Sequence, residues 1–300
     1  MSRKLLMNNV ISGEVTPTFS RYNEFVFDIN TSNITISLDT DRRGDTTTWD
    51  GNTDWGDGTV NTQSSHQYSQ AGTYIVKTKY GLASPSSYSN NANIKTYLKQ
   101  VKALNSDMTT MKNMFRNCSS LTSIDFSNFD ASKVVYMDNM LYGCSSLTSL
   151  DLSNLDTSNV TSMSFMLFNC SSLTSLNLSN INTSKVTRID GMFRNCSSLT
   201  SLDLSNFNTS NVTNMSTTFF NCGSLTSLNL SNFNVSKVIR MDSMFEECSV
   251  LTSLNLSNWQ MLSNCRYTDW LRNCTRLTLS NVTTTNANST LISAVSSGLS

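Results

Sequence analysis

The sequence has one histidine, His66, in 300 residues. It lies far upstream of the cysteine-bearing part of the chain, so a Ser-His-Asp set is out of reach there and a Cys/His zinc site is not expected. Net charge is also lacking: 21 Lys+Arg balance 21 Asp+Glu. Nothing steers the chain toward nucleic acid or an anionic membrane. No apolar run reaches the length of about 18 residues that a transmembrane helix needs. Neither phosphate-cradling glycine motif, G-x-x-x-x-G-K-[ST] or G-x-G-x-x-G, is present. Hydrophobic residues are 38% of the chain, with Ser, Thr and Asn filling much of the rest. That is the composition of a thin structure with much polar surface.

What the sequence has is one sentence, repeated. From Met111 it reads M-K-N-M-F-R-N-C-S-S-L-T-S-I-D-F-S-N-F, and from Met137 it begins again as M-D-N-M-L-Y-G-C-S-S-L-T-S-L-D-L-S-N-L. Cys118, Cys144, Cys170, Cys196, Cys222, Cys248 and Cys274 fall 26 residues apart. A fixed period in this range marks an array of stacked units. Each copy carries a strand-like alternation such as Ser149-Leu150-Asp151-Leu152, with the leucines inward. Turn residues around Asp156 to Asn159 follow, then a second extended piece from Val160 to Met163. Asp138, Ser164, Asp190, Ser216, Asp242 and Thr268 share one column and are helix-capping types, so one short helical turn per coil is expected after them. Asn117, Gly143, Asn169, Asn195, Asn221 and Asn273 close that turn. The exchange of Gly for Asn there predicts a left-handed backbone, with Glu247 as the odd member. One coil cannot bury its apolar faces alone, whereas stacked coils cover one another.

The stretch C-S-S-L-T-S-L-D-L-S-N-F-N-T-S-N-V-T-N-M, from Cys196 to Met215, resembles the BspA-like leucine-rich-repeat surface proteins, and the likeness spans about 165 residues. The resemblance implies a leucine-rich-repeat solenoid with one parallel sheet, serving adhesion at a cell or virus surface. Asn154 comes two residues after the last strand leucine instead of three, a departure from the usual pattern that bears on curvature.

Eight cysteines would suggest disulfides in an extracellular protein. Seven of them share one inward column, so the better reading is a row of buried thiols acting as small hydrophobes. Cys265 lies outside the register and is not expected to bridge to Cys274.

Upstream, Phe25–Ile29, Ile34–Leu38 and Gly72–Tyr80 alternate as strands. The motif Asp54-Trp55-Gly56-Asp57-Gly58-Thr59, followed by His66-Gln67-Tyr68 and Ala71-Gly72-Thr73-Tyr74, resembles a PKD-type immunoglobulin-like domain. That resemblance implies a binding or spacer module. Asp54 and Asp57 are the best-placed members of an Asp-rich run (with Asp39, Asp41, Asp45 and Asp50) that offers oxygens for a calcium ion, though without EF-hand spacing. Surface turns are rich in Asp for other reasons, and no metal is expected.

The expected architecture is mainly β. Residues 1–19 are a tail or docking segment, 20–83 a PKD/Ig-like β-sandwich, and 84–110 a linker and N-terminal cap coil. Residues 111–276 form the leucine-rich-repeat solenoid and 277–300 a C-terminal cap or tail, with Leu291-Ile292-Ser293-Ala294-Val295 as a final strand or docking piece. The outward column Asp125, Asp151, Asn177, Asp203, Asn229 and Asn255 is the candidate binding face. Paired carboxylates there suggest glycoside hydrolysis, but a flat ladder of equivalent residues lacks the two differently tuned carboxyls such chemistry needs. The expectation is a non-enzymatic protein without cofactor, nucleic-acid partner or membrane insertion. Leu5-Leu6-Met7 is too short for a secretory core, so a virion structural protein is expected: a phage fibre, decoration or adhesin contacting host glycan or protein. A bacterial cell-surface adhesin is the alternative.

Overall fold

The structure is a computed structural model that describes residues 23–38, 53–78, 92–103 and 108–299. The expected tail at 1–19, the acidic positions Asp39, Asp41, Asp45 and Asp50, and the 84–91 loop lie outside the described residues. The chain is mainly β, arranged as several small sheets with little helix.

The N-terminal part holds β1 (Asn23–Ile29), β2 (Ile34–Ser37), β3 (Thr53–Asp54), β4 (Val60–Asn61), β5 (Ser65–Tyr68) and β6 (Gly72–Thr78). β1 pairs antiparallel with β6 along its full length, and β2 pairs antiparallel with β5. Phe25, Phe27, Ile36, Trp55, Tyr68 and Val76 are buried in one core. Helix α1 (Ala92–Tyr97) follows, holding Ile94 in that core and bonding Asn93 Nδ2 to the Thr35 carbonyl at 2.7 Å.

Strand β7 (Leu98–Ala103) then joins the two halves of the molecule. One edge pairs antiparallel with β1 and the other pairs parallel with β8 (Ser123–Ile124), the first strand of the repeats. The six-stranded sheet β4-β3-β6-β1-β7-β8 is therefore continuous from the N-terminal strands into the first coil. Leu98 and Val101 of β7 are buried, within the segment expected as the cap coil.

From Thr110 onward the 26-residue units bond one onto the next. A chain of parallel bridges runs Thr110, Tyr136, Ser162, Arg188, Asn214, Arg240, Arg266 without a gap. This is the second extended piece of each coil.

The segment after it is not helical, which corrects the expected helical turn. Met114 N–H donates to Met111 O at 3.1 Å and Cys118 N–H to Phe115 O at 3.1 Å, so two β-turns follow one another. The intervening amides leave the coil: Met111, Asn113 and Phe115 donate to Tyr136, Asp138 and Met140 of the next coil at 2.8–2.9 Å. The i, i+3, i+4 spacing of Met111, Met114 and Phe115 mimics a helical face, but alternate N–H groups point along the stack. Each turn has a left-handed residue at its third position. The predicted column is left-handed throughout, from Asn117 (φ 62°) through Gly143 to Asn273 (φ 61°), and includes Glu247 (φ 65°). A second left-handed column runs Asn113, Asn139, Phe165, Gly191, Thr217, Ser243 and Asp269. Phe and Thr in that column hide it from sequence. At Gly191 a Cβ would stand 2.3 Å from the Phe165 ring, so it is the ring of the neighbouring coil that calls for glycine there.

The leucine strands are shorter and less continuous than expected, which corrects the single parallel sheet. β9 (Ser149–Asp151) pairs with β10 (Ser175–Asn177), and β11 (Ser227–Asn229) pairs with β12 (Ser253–Asn255) and β13 (Val282–Thr283). Ser201-Leu202-Asp203 forms no strand. Side chains stitch the coils together here. Asn206 Nδ2 donates to the carbonyls of Leu178, Ser179 and Ile181 at 2.8–3.2 Å, and Asn232 repeats the pattern one coil on. The buried Thr157, Thr183 and Thr209 hydroxyls each bond the next coil's backbone, Thr157 giving to Asn182 O and taking from Asn182 N.

Columns of the core stack on themselves. Phe193, Phe219 and Phe245 lie nearly parallel with centroids 5.7 and 5.5 Å apart. All eight cysteines are free and buried. The in-register thiols donate to a carbonyl of the preceding coil, from Cys144 to Phe115 O (3.1 Å) through Cys274 to Phe245 O (3.0 Å). Burial pushes these thiols up, to about 12 at Cys118, Cys170 and Cys274.

The C-terminal end departs from expectation. A 3-10 turn covers Leu279–Asn281, and β13 takes the strand position, slipped two residues so that Val282 faces Leu254. Leu291 to Val295 belongs to helix α2 (Ser289–Gly298), capped by Asn288, whose side chain accepts the Leu291 N–H at 3.1 Å. Leu291, Ala294 and Val295 recur at helical spacing and are buried. Their β-prone neighbours suggested a strand, but the last coil's core needs an apolar lid. Trp270 is the closing residue, its Nε1 donating to Ala294 O at 3.1 Å, and Trp259 is buried with its Nε1 on Leu230 O at 2.8 Å.

Candidate functional site

The strand column is one row on the outside of the stack. Asp125, Asp151, Asn177, Asp203 and Asn229 are exposed and Asn255 is half-buried. Each side chain turns back on its own backbone. Ser127 N–H donates to Asp125 Oδ1 at 2.8 Å, Ser153 to Asp151 and Ser205 to Asp203 at 2.9 Å, and Ser179, Ser231 and Ser257 do the same with Asn177, Asn229 and Asn255 at 3.0–3.1 Å. These are Asx turns that end the strand. Hydrogen bonds from the Ser153 hydroxyl and amide hold the Asp151 carboxyl below its ordinary value, and the Ser205 amide and hydroxyl do so for Asp203. A parallel row does the same work after the next corner, where the Ser132 and Ser158 hydroxyls and amides lower Asp130 and Asp156.

The row thus presents one carboxylate or amide per coil, each in the same Asx contact. Asp125 and Asp151 belong to successive coils, while Asp203 is separated from Asp151 by the coil of Asn177. A general acid and a base need unequal environments; here the two aspartates make the same Asx contact. The arrangement suits repeated weak hydrogen bonds to something long. A cavity of about 550 Å3 lies away from this row, at the last coil, lined by Arg266, Tyr267, Asp269, Arg272 and Gly298 among others.

Asp54 and Asp57 sit on the Trp55–Gly58 turn. Asp54 Oδ1 accepts the Gly56 N–H at 2.9 Å, and Asp57 Oδ1 accepts Thr59 N–H at 3.0 Å. The other Asp57 oxygen meets His66 Nε2 at 2.6 Å. Burial alone raises the Asp57 carboxyl, but the Thr59 amide, His66 and the Thr59 hydroxyl outweigh it and leave it lowered. His66 lies against Trp55 (5.3 Å) and edge-on to Tyr68 (4.7 Å). The two carboxylates thus fasten a turn to an aromatic cluster, and among the described residues no group of three or more acidic, His or Cys side chains is placed to hold a metal ion. No helix of the described residues is long and apolar enough to cross a membrane.

The Asp/Asn row is not the sole outward column of the repeats. The column that starts at Arg116 has the same 26-residue spacing and carries Tyr142, Phe168, Arg194 and Phe220; its alternation of cation and ring was the signal.

A search of curated proteins finds no match to this chain. The family model described as Mycoplasma protein of unknown function, DUF285, matches twice, at residues 86–181 and 168–285. The two matches together cover the six in-register coils and β7, two thirds of the sequence. With coils of this spacing and bonding, the chain belongs to the DUF285 family, the family of the BspA-like repeats.

Proposed function

We propose that the protein is a non-enzymatic, surface-displayed adhesion protein. A leucine-rich-repeat solenoid offers its long outer rows to a partner, and the N-terminal strands serve as a PKD-type spacer or mount. The observation that carries this reading is the row of equivalent outward side chains, Asp125 to Asn255, one per coil and without a cleft. Such a surface binds by many repeated contacts to an extended or flat partner, a protein or glycan of a host surface. It needs no cofactor. The continuous sheet through β7 supports the mounting role, because load on the coils passes into the N-terminal strands through backbone hydrogen bonds.

Two settings suit such a protein: a virion fibre or decoration, and the surface of a bacterial cell. The family description, drawn from Mycoplasma, favours the cell. Brief protease treatment of intact cells should release peptides of this chain into the supernatant. Recovery of the chain in purified virions, with none shaved from cells, gives the virion reading instead; recovery in neither place sinks the surface reading. A glycan-active role is tested separately: Asp125→Ala with Asp151→Ala should leave any turnover of glycan substrates unchanged.

A further inference from the structure

Along the column that begins at Arg116 the side chains lie on one another. The Arg116 guanidinium sits 4.1 Å over the Tyr142 ring, and Tyr142 stacks on Phe168 at 4.3 Å. Arg194 lies between Phe168 (5.6 Å) and Phe220 (4.3 Å). Further along, Glu246 and Arg272 end the column as an ion pair.

All but one of the arginines of the coils fall into two kinds. Arg188 is bound to Asp190, Arg240 and Arg266 flank Asp242, and Arg272 is bound to Glu246. Arg276, exposed at the end of the last coil, makes no ion pair among the described residues. Among the described residues Arg116 and Arg194 likewise have no carboxylate partner, and the buried Nε of Arg194 has no hydrogen-bond acceptor. Rings hold Arg116 and Arg194 in place of anions. Stacking engages the face of a guanidinium and leaves its N–H edge, which matches a carboxylate or sulfate in two-pronged fashion. Both arginines are half-exposed, as are Tyr142 and Phe168 between them. The flanking columns of these four coils carry no charge: Asn117, Gly143, Asn169 and Asn195 on one side, and the positions from Asn113 to Gly191 on the other.

We propose that this column is a binding strip for an acidic glycan, a linear chain bearing a carboxylate or sulfate every few sugar units. Arg116 and Arg194 are three coils apart, roughly 14 Å at about 4.8 Å per coil. That is too sparse for nucleic acid, where duplex DNA presents a charge about every 1.7 Å. The ring faces are covered, so the rings act as a spine. Recognition comes from the two guanidinium edges, the Tyr142 hydroxyl and the neighbouring asparagine amides. The assignment deepens the surface-adhesion reading and rests on it, naming a partner chemistry and a row distinct from the Asp/Asn face.

The test is calorimetric titration of the full chain with four probes: hyaluronan oligosaccharides (carboxylate only), chondroitin sulfate oligosaccharides (carboxylate and sulfate), neutral dextran and poly-glutamate. At least one acidic glycan should bind and dextran should not; which one binds identifies the acid group. Arg116→Gln with Arg194→Gln should weaken binding about tenfold or more, with cooperative melting retained. Lys237→Gln, in another column, should leave affinity unchanged. Tyr142→Phe removes one hydroxyl from an intact stack and should weaken binding a few-fold, which keeps the test decisive if the double variant folds poorly. The proposal is overturned if neither acidic glycan binds, or if binding survives both the double variant and Tyr142→Phe. Tighter binding of poly-glutamate than of either glycan overturns it in favour of an acidic protein segment. These titrations use purified protein, so their failure leaves the protease-release result standing, and the reverse also holds.

Discussion

The two long sides of each coil are built differently. On the turn side, backbone bridges run unbroken from Thr110 to Arg266, and the amides of alternate turn residues and the thiols reach into the neighbouring coil. On the leucine side, strand pairing comes in separate pieces and skips Ser201–Asp203, while asparagine and threonine side chains make the joins. The leucines that announce the repeat fill its interior. The continuity between coils is carried by turns, which a leucine-centred reading places second.

The largest expected effect follows from the thiols on the turn side. Their folded-state values lie above the unfolded value of about 9 because burial disfavours the thiolate. Their contribution is complete below about pH 9 and is lost as pH rises toward the folded value, about 12 at Cys170. Urea-determined stability should fall steeply across that window, and a Cys196→Ala, Cys222→Ala variant should fall less steeply. Equal slopes would mean the thiols are not shielded from solvent in solution. Next in size is a core pair. Phe219→Ala opens the turn-side ring stack and should cost about 3–5 kcal/mol, whereas Leu202→Ala, half-buried where the strand is missing, should cost under about 2 kcal/mol. If the leucine change costs more, the ranking of the two sides is wrong. Asn206→Ala leaves three carbonyls short of a donor and should cost about 1–3 kcal/mol, more than Asn180→Ala, whose amide makes one such bond. The smallest effect concerns the Asp row. Asp130, Asp151, Asp156 and Asp203 are lowered in the folded state, so their stabilisation is present above the unfolded value of about 3.9 and lost as pH drops below it. Asp151→Asn should be neutral within about 0.5 kcal/mol at pH 7, since Asn177 and Asn229 make the same turn, and it should flatten the acid limb in a melt series from pH 5 to pH 2.

Much of the stack was legible because it is periodic. The register of the cysteines and their burial without disulfides follow from one column pointing one way. The exchange of Gly143 for Asn reveals a left-handed position. The second left-handed column stayed hidden, since Phe165 and Thr217 occupy it against their own preference and are held there by inter-coil bonds. Met111, Met114 and Phe115 imitate a helix because two consecutive β-turns advance the chain at nearly helical spacing. Ser201-Leu202-Asp203-Leu204 has the same letters as Ser149-Leu150-Asp151-Leu152, yet only the second forms a strand, so that difference has no local signal. At the C-terminus, the β-branched Ile292 and Val295 masked the helical spacing of Leu291, Ala294 and Val295. Of the candidate face, position and exposure were legible and the turn-ending role was not, because an Asx contact needs coordinates. The arginine–aromatic column shows in the sequence as cations and rings at the 26-residue period, outside the strand positions that carry the leucine pattern.

Because a regular coil touches only the coil before and the coil after it through matching backbone positions, an interior unit whose facing side chains match those of its neighbours is interchangeable with them, whereas a fitted pair such as Phe165 and Gly191 has to stay together. A genetic deletion or duplication of one such repeat would shorten or lengthen the stack by a single layer, about 4.8 Å, and leave the backbone seams intact. Length is thus a quantity that recombination can adjust in steps, with the N-terminal strands at one end and the lid helix at the other untouched.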